Sequence, residues 1–194
     1  MPESDDELWR RCTLGDEAAL TTLYRRHVQA IYRHAFRATG DCTRSEDVVS
    51  ITFAEVWRLR TRSVEAGSVL PWLYGVATNV LRNEQRTTRR YQRLLSHVHA
   101  RGHDRSDNES PDIAARLDDQ RRARSLLAQV RDLPEREREL IALCWWTGLT
   151  HEQAAAALEI PLGTVKSRLA RARARLGHDD IEQFDAQMEE AGDR

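Results

Sequence analysis

The chain has 194 residues, with nine glycines, five prolines and a formal net charge of −1. Ala, Leu, Arg and Glu lose little side-chain freedom in a helix and fill 89 positions, which favours an all-α protein over collagenous or low-complexity classes. The sequence contains no run of about 18 apolar residues, so no membrane span is predicted. The start, MPESDDE, lacks the basic and apolar segments of a signal peptide, so we expect a cytoplasmic protein.

Between residues 16 and 93, apolar residues recur with helical period in three stretches. Gly40 separates the first two, Thr43 and Glu46 form a predicted capping box for the second, and Pro71 suits the first turn of the third. The stripes are Leu20, Leu23, Tyr24, Ile31 and Ala35; Val49, Thr52, Phe53, Val56 and Trp57; and Leu73, Val76, Ala77, Val80 and Leu81.

Residues 101–112 carry no large apolar side chain and cannot bury enough surface to offset the entropy of ordering. We therefore predict two small helical domains, 1–95 and 113–177, joined by a flexible linker over 96–112. The acidic C-terminal tail, 178–194, is either disordered or a short helix that covers a basic surface. The helical spacing of Ile181, Phe184 and Met188 is the reason for the second alternative.

The second domain ends in a predicted helix-turn-helix. Two helices precede it: one carries Ile113, Leu117, Leu127 and Val130, and the next begins at Pro134, carries Leu140, Ile141, Cys144 and Trp145, and ends at Gly148. Thr150 and Gln153 form a capping box for a short helix to Leu158, 159–163 is a turn, and 164–176 is a helix with five positive charges and no acid.

The basic helix 164–176 has a buried stripe of Val165, Leu169, Ala172 and Leu176, so its other faces are free for DNA or for solvent. Arg171 can fork onto a guanine edge, and Lys166 or Arg168 can bind phosphates. The predicted contacts to duplex DNA are Lys166, Ser167, Arg168, Arg171 and Arg175. The alternative is a charged, solvated face.

The helix that begins near Pro71 turns amides and arginines outward, together with Gly75. Amides and an aromatic ring can hold unpaired bases, whereas arginines alone would only follow the backbone. The predicted single-strand contacts are Trp72, Asn79, Arg82, Asn83 and Arg86. The alternative is a polar outer face with Trp72 in the core.

The middle helix is apolar on both faces, which is typical of a helix with a partner. Ile51 points about 200° away from Val49 on a helical wheel, and Val48 shares the face of Ile51. The predicted protein contacts are Asp47, Val48, Ile51 and Glu55.

No cofactor or metal site is predicted. Cys12, Cys42 and Cys144 lack paired spacing, and we expect them to be small core residues. His97, His99 and His103 have no Cys or acidic ligand at a matching spacing.

Four segments in this order resemble the extracytoplasmic-function (ECF) sigma factors of RNA polymerase, which retain only regions 2 and 4. They are SEDVVSITFAEVW at 45–57, PWLYGVATNVLRN at 71–83, LPERERE at 133–139 and IPLGTVKSRLARAR at 160–173. The match spans roughly residues 16–176.

The resemblance implies that the middle helix docks on the clamp helices of core RNA polymerase and that the helix from 71 captures the single-stranded minus-ten element. A flipped base would enter a pocket formed by the loop 61–69, near Asn79. The basic helix would read the minus-35 duplex, mainly through Lys166, Ser167, Arg168 and Arg171. The linker would run toward the RNA exit channel, and an anti-sigma factor would hold both domains.

Two positions depart from the family pattern. Ser50-Ile51 stands where Gln-Glu or Gln-Asp is frequent, so an apolar contact replaces polar ones at the clamp. Glu159 stands where glycine is usual, and it must adopt the backbone conformation that the turn requires.

We therefore predict an alternative sigma factor with no catalytic site of its own. One rival is a conventional helix-turn-helix regulator, which would bind palindromic duplexes as a dimer without polymerase. Another is a nucleic-acid-modifying enzyme, which would need clustered carboxylates or a metal; the acids here are scattered.

Overall fold

A computed structural model of the chain describes residues 3–62, 64–65, 67–96, 129–130 and 132–176. Within these ranges the regular structure is helical and contains no strand, in agreement with the predicted all-α class. None of the helices in this described part is both long and apolar enough to cross a bilayer. The helices are α1 (Asp5–Thr13), α2 (Glu17–Thr39), α3 (Cys42–Arg58), α4 (Val69–Ser96), α5 (Glu135–Ile141), α6 (His151–Leu158) and α7 (Leu162–Leu176), with a π-helical turn, Ala142–Trp146, after α5.

The N-terminal bundle contains the three predicted helices α2, α3 and α4, which pack on one another. Asp16 caps α2 by accepting from the Ala18 and Ala19 amides, and Gly40 ends it in the left-handed conformation (φ 66°). The predicted capping box at Thr43 is wrong, because the N-cap of α3 lies two residues earlier, at Asp41, whose side chain accepts from the Arg44 amide. Most of the three stripes is buried, but Tyr24 is exposed and Leu20 and Trp57 are half-buried.

Helix α1 is a fourth element of this bundle that we did not predict. Its start has a capping box in which Ser4 and Glu7 bond each other's backbone amides, and Trp9 is buried with its ring centroid 4.6 Å from that of Trp72. The Asp6 carboxylate accepts from the Gly67 amide at 2.9 and 3.0 Å. Helix α1 therefore supports both the connection between α3 and α4 and the first turn of α4.

The C-terminal half confirms the predicted capping box of Thr150 and Gln153 and the stop at Gly148 (φ 71°). The helix from Pro134 differs from the prediction, because it changes to π-helical hydrogen bonding at Ala142. Helix α7 begins at Leu162 rather than at Thr164. Its predicted inner stripe is confirmed as buried: Val165, Leu169, Ala172 and Leu176.

The two halves pack directly, and most of their buried apolar residues form one continuous core; Ala35, Val48, Val80 and Leu81 form a separate cluster within the N-terminal bundle. Helix α6 lies on α4, and the π-helical turn lies on α2, where the Arg37 guanidinium donates to the Trp146 carbonyl at 3.0 Å. This packing covers part of the surface of α4 that we predicted to be solvent-exposed.

The three cysteines do not share one environment. Cys12 is buried as predicted, Cys144 is half-buried, and Cys42 is exposed, so its prediction as a core residue is wrong. Burial raises the pKa of the Cys12 and Cys144 thiols to about 11. The predicted linker 96–112, apart from Ser96, the acidic tail 178–194, nearly all of the predicted helix 113–130 and the three histidines of 97–103 lie outside the described residues.

Candidate nucleic-acid and polymerase interfaces

The outer face of α7 is built by the helix-turn-helix as predicted. Lys166, Ser167 and Arg171 are exposed, opposite the stripe that packs on α5 and α6. The Arg171 Nε donates to the Ser167 carbonyl at 3.3 Å, and the exposed guanidinium has two further nitrogens that can donate to a base edge or phosphate. Ser167 Oγ donates to the Thr164 carbonyl at 3.1 Å and can still accept.

The remaining two predicted cations of α7 both have an end turned toward the protein, although Arg175 is itself exposed. Arg168 is half-buried, and its Nη1 is buried without a hydrogen-bond partner. Arg175 Nη1 donates to the buried Glu137 carboxylate at 2.6 Å, so it also anchors α7 to α5. Sequence reasoning missed Glu137, although its place in LPERERE at the start of a helix could have indicated an inward acid.

The residues of the predicted single-strand face of α4 differ in exposure, because other parts of the chain pack against some of them. Asn79, Asn83 and Arg86 are exposed, whereas Trp72 is half-buried against Trp9. Trp72 was predicted either as a single-strand contact or as a core residue. In the structure it packs against the core and also lines a groove.

Arg82 of this face is bound to an acid from the other half of the chain. Its Nε and Nη2 donate to the two Glu139 carboxylate oxygens, each at 2.6 Å, and its Nη1 donates to Asn79 Oδ1 at 3.1 Å. The Glu139 carboxylate raises the pKa of Arg82, so the guanidinium stays charged. Sequence reasoning missed Glu139, because no local pattern reveals a pair 57 residues apart.

Gly75 was predicted to lie on the outer face of α4, and the structure corrects this: it is buried beneath α6. A Cβ on Gly75 would overlap the Ala157 carbonyl oxygen and would lie 2.9 Å from the Ala157 carbonyl carbon. The absence of a side chain allows the two backbones to approach this closely.

On α3, Ile51 is 44 % exposed, as the prediction of an apolar contact requires, and Asp47 is also exposed. Glu55 accepts from Arg58 at 2.6 Å. The predicted exposure of Val48 is wrong. It is fully buried beside Ala35, Val80 and Leu81, because α2 and α4 both pack against that side of α3.

A groove of about 610 Å³ separates the exposed faces of α3 and α4 and ends at the C-terminus of α6. Ile51 and Glu55 line one side, Asn79 and Asn83 the other, and Glu159 the end. Two of the predicted polymerase contacts, Ile51 and Glu55, therefore border the same groove as three of the predicted single-strand contacts, Trp72, Asn79 and Asn83. Among the described residues, no three His, Cys, Asp or Glu side chains are grouped closely enough to hold a metal ion.

Two family descriptions match the chain. Residues 23–91 match sigma-70 region 2, and residues 123–176 match sigma-70 region 4.

The chain is 30 % identical to the RNA polymerase sigma factor NccH of Alcaligenes xylosoxydans xylosoxydans, with 90 % of this chain and 94 % of NccH covered. It is 31 % identical to the ECF RNA polymerase sigma factor SigL of Mycobacterium tuberculosis, with 80 % and 85 % covered. Identity to the ECF factor SigE of Mycolicibacterium smegmatis is 32 % over 84 % of this chain, which spans 63 % of that longer protein.

Two solved structures share the fold. CnrH, in complex with the cytosolic domain of CnrY, superposes with a TM-score of 0.62 at 26 % identity, covering 90 % of this chain and 95 % of CnrH. The sigma factor RpoE of Bartonella quintana, in complex with the anti-sigma factor NepR, gives 0.61 at 20 % identity, covering 84 % and 96 %.

Proposed function

The chain belongs to the ECF sigma factors of RNA polymerase, and from this membership we propose how its surfaces divide the work of promoter recognition. As an alternative sigma factor it binds core RNA polymerase and directs transcription initiation at specific promoters. We propose residues 1–95 as the region 2 domain, 96–112 as the linker, 113–177 as the region 4 domain and 178–194 as an acidic tail.

The outer face of α7 is the proposed reader of the minus-35 duplex, and it is the observation that supports the proposal best. The exposed Lys166 and Arg171 lie on a helix that packs by its opposite side against α5 and α6. This is the geometry that lets a recognition helix enter the major groove. The proposed contacts are Lys166, Ser167, Arg168, Arg171 and Arg175.

The face of α4 is the proposed site for the minus-ten element as a single strand. Exposed amides of Asn79 and Asn83 can bond base edges, and the Trp72 ring offers a stacking surface at the start of the helix. Arg82 and Arg86 supply charge for the sugar-phosphate backbone.

The exposed side of α3 is the proposed contact with core polymerase, through Asp47, Ile51 and Glu55. Val48 is omitted here because it is buried. We also propose an anti-sigma factor as a partner, since the related structures of CnrH and RpoE hold CnrY and NepR respectively. The factor would work in the cytoplasm, where core polymerase acts, and would carry no catalytic site of its own.

In vitro transcription tests the function. Purified chain is added to core polymerase on a genomic library, and the 5′ ends of the products are mapped. We expect start sites that share two elements separated by a constant spacer and that disappear without the chain. Failure to direct initiation, combined with tight binding to palindromic duplexes, would instead support a dimeric regulator.

A further inference from the structure

Helix α6 packs at Gly75 against the face of α4 that carries the proposed minus-ten contacts. The three nearest heavy atoms to a Cβ built on Gly75 all belong to Ala157. Gly75 therefore serves the packing of the two halves against each other, and any larger residue there must push α6 away.

Arg82 forms the second contact of this closed arrangement. All three of its guanidinium nitrogens donate, two to Glu139 and one to Asn79, and the Arg82 and Glu139 side chains are only 19 % and 11 % exposed. A DNA phosphate or base would need the same donors. Glu139 and a single strand therefore compete for one guanidinium.

Glu159 forms the third contact, and it does so from a strained backbone. Its φ of 54° is the only positive value outside glycine in the described part of the chain. Its carboxylate pairs with Arg62, in the connection between α3 and α4. Glycine would take this backbone conformation without strain. The chain instead has a glutamate at position 159, and the carboxylate of that glutamate pairs with the N-terminal half of the chain.

We propose that these three contacts hold the free factor in an autoinhibited state, in which residues 135–176 cover α4 at Gly75 and occupy Arg82, while Asn79, Asn83 and Arg86 of the minus-ten surface stay exposed. The inference rests on the proposed function, since it requires Asn79 and Arg82 to be promoter contacts. Core polymerase and promoter DNA then act on an equilibrium between closed and open forms, and single-strand binding and closure exclude each other.

Closure is tested first without DNA. Spin labels are placed on the exposed Cys42 and on Ala174→Cys in the full chain, with Cys144→Ala, and the distance between them is measured. We expect one narrow distance in this parent and a second, longer population in Gly75→Ala and Gly75→Leu.

The matched control for this distance measurement is Gly163→Ala. It also adds a methyl group to a helix, but nothing lies within 4 Å of the added carbon. Circular dichroism of each variant checks that the helices remain. A broad distribution in the parent, or a parent-like distance in both Gly75 variants, would overturn the proposal.

Occlusion is tested next with a single-stranded oligonucleotide that carries the mapped minus-ten sequence. Glu139→Gln and Gly75→Ala should bind it about 10-fold more tightly than the parent, within the range of roughly 5- to 150-fold that is typical of coupled sites. The control Glu152→Gln, on the exposed side of α6, should bind like the parent.

Equal affinity, or no measurable binding by the opened variants, would overturn the occlusion. Failure of the proposed function is distinguishable, because the parent would then not direct core polymerase to a promoter even though the label distances respond as expected.

Discussion

His34 Nε2 lies 3.1 Å from Thr78 Oγ1, and this buried pair joins α2 to α4. The Thr78 hydroxyl donates its only hydrogen to the Tyr74 carbonyl at 2.8 Å, so it accepts from His34, which is neutral with its proton on Nε2. Burial, with a smaller effect from Arg37, lowers the pKa of His34 to about 4.

This histidine makes stability depend on pH. Between the ordinary histidine pKa of 6.5 and about 4, the unfolded chain binds a proton that the native chain does not, so the free energy of unfolding falls as pH falls through that window. The loss amounts to about 3 kcal/mol at its limit. Urea titrations of the parent and His34→Gln at pH 7.5 and 4.5 measure it. The variant should have a smaller free energy of unfolding than the parent at pH 7.5, but that free energy should fall less between pH 7.5 and 4.5. An equal fall in parent and variant would contradict a lowered pKa of His34.

On α7, Arg171→Ala should weaken binding to minus-35 duplexes by roughly 1–3 kcal/mol and relax the preference at one base pair. Lys166→Ala is the informative comparison, because a phosphate contact weakens binding to all sequences and lowers the salt slope by about 1. Fluorescence anisotropy of the holoenzyme with variant promoters at several salt concentrations separates the two. An unaltered base preference in Arg171→Ala would remove that residue from base reading.

On α3, Ile51→Asp should abolish assembly with core polymerase and leave the fold intact, because it places a charge in an apolar contact without disturbing the core. Leu14→Asp is the matched control: Leu14 is also apolar, is 88 % exposed, and lies outside the proposed contact. Native gel shift with core polymerase reports assembly, and circular dichroism reports folding. Normal assembly of Ile51→Asp would show that its exposure has no role there.

The thiols should differ in reactivity. At pH 8 an alkylating reagent should modify the exposed Cys42 rapidly and should modify Cys12 and Cys144 slowly, because a pKa of about 11 leaves about one thiolate in a thousand. Mass spectrometry of timed digests measures the three rates. Rapid labelling of Cys12 would mean that α1 opens readily from the bundle.

The elements predicted best from the sequence are those with strong local signals. The apolar period placed the inner stripes of α4 and α7, and the capping box at Thr150 placed α6, because period and caps depend only on neighbouring residues. Helix α1 has the same kind of signal in Ser4 and Glu7, and it was overlooked because its apolar stripe is short.

Other features depend on contacts that a sequence pattern cannot contain. Val48 lies on the side of α3 away from its main stripe and becomes buried only because α2 and α4 meet there. Gly75 and Arg82 lie on the outer side of α4, and they are covered because another half of the chain packs on that side. A helical wheel distinguishes one face from another but does not reveal how many faces acquire neighbours.

The bond from the Gly67 amide to Asp6 ties the connection before α4 to a helix that precedes the family match at residue 23. A truncated version designed to start at that boundary would remove Asp6 and Trp9 together, leaving the Gly67 amide to water and uncovering the Trp72 ring. Such a fragment should be prone to aggregate. Any loss of promoter melting measured with it would reflect the loss of the packing of α1 against α4 and the connection before it, rather than the loss of a DNA contact.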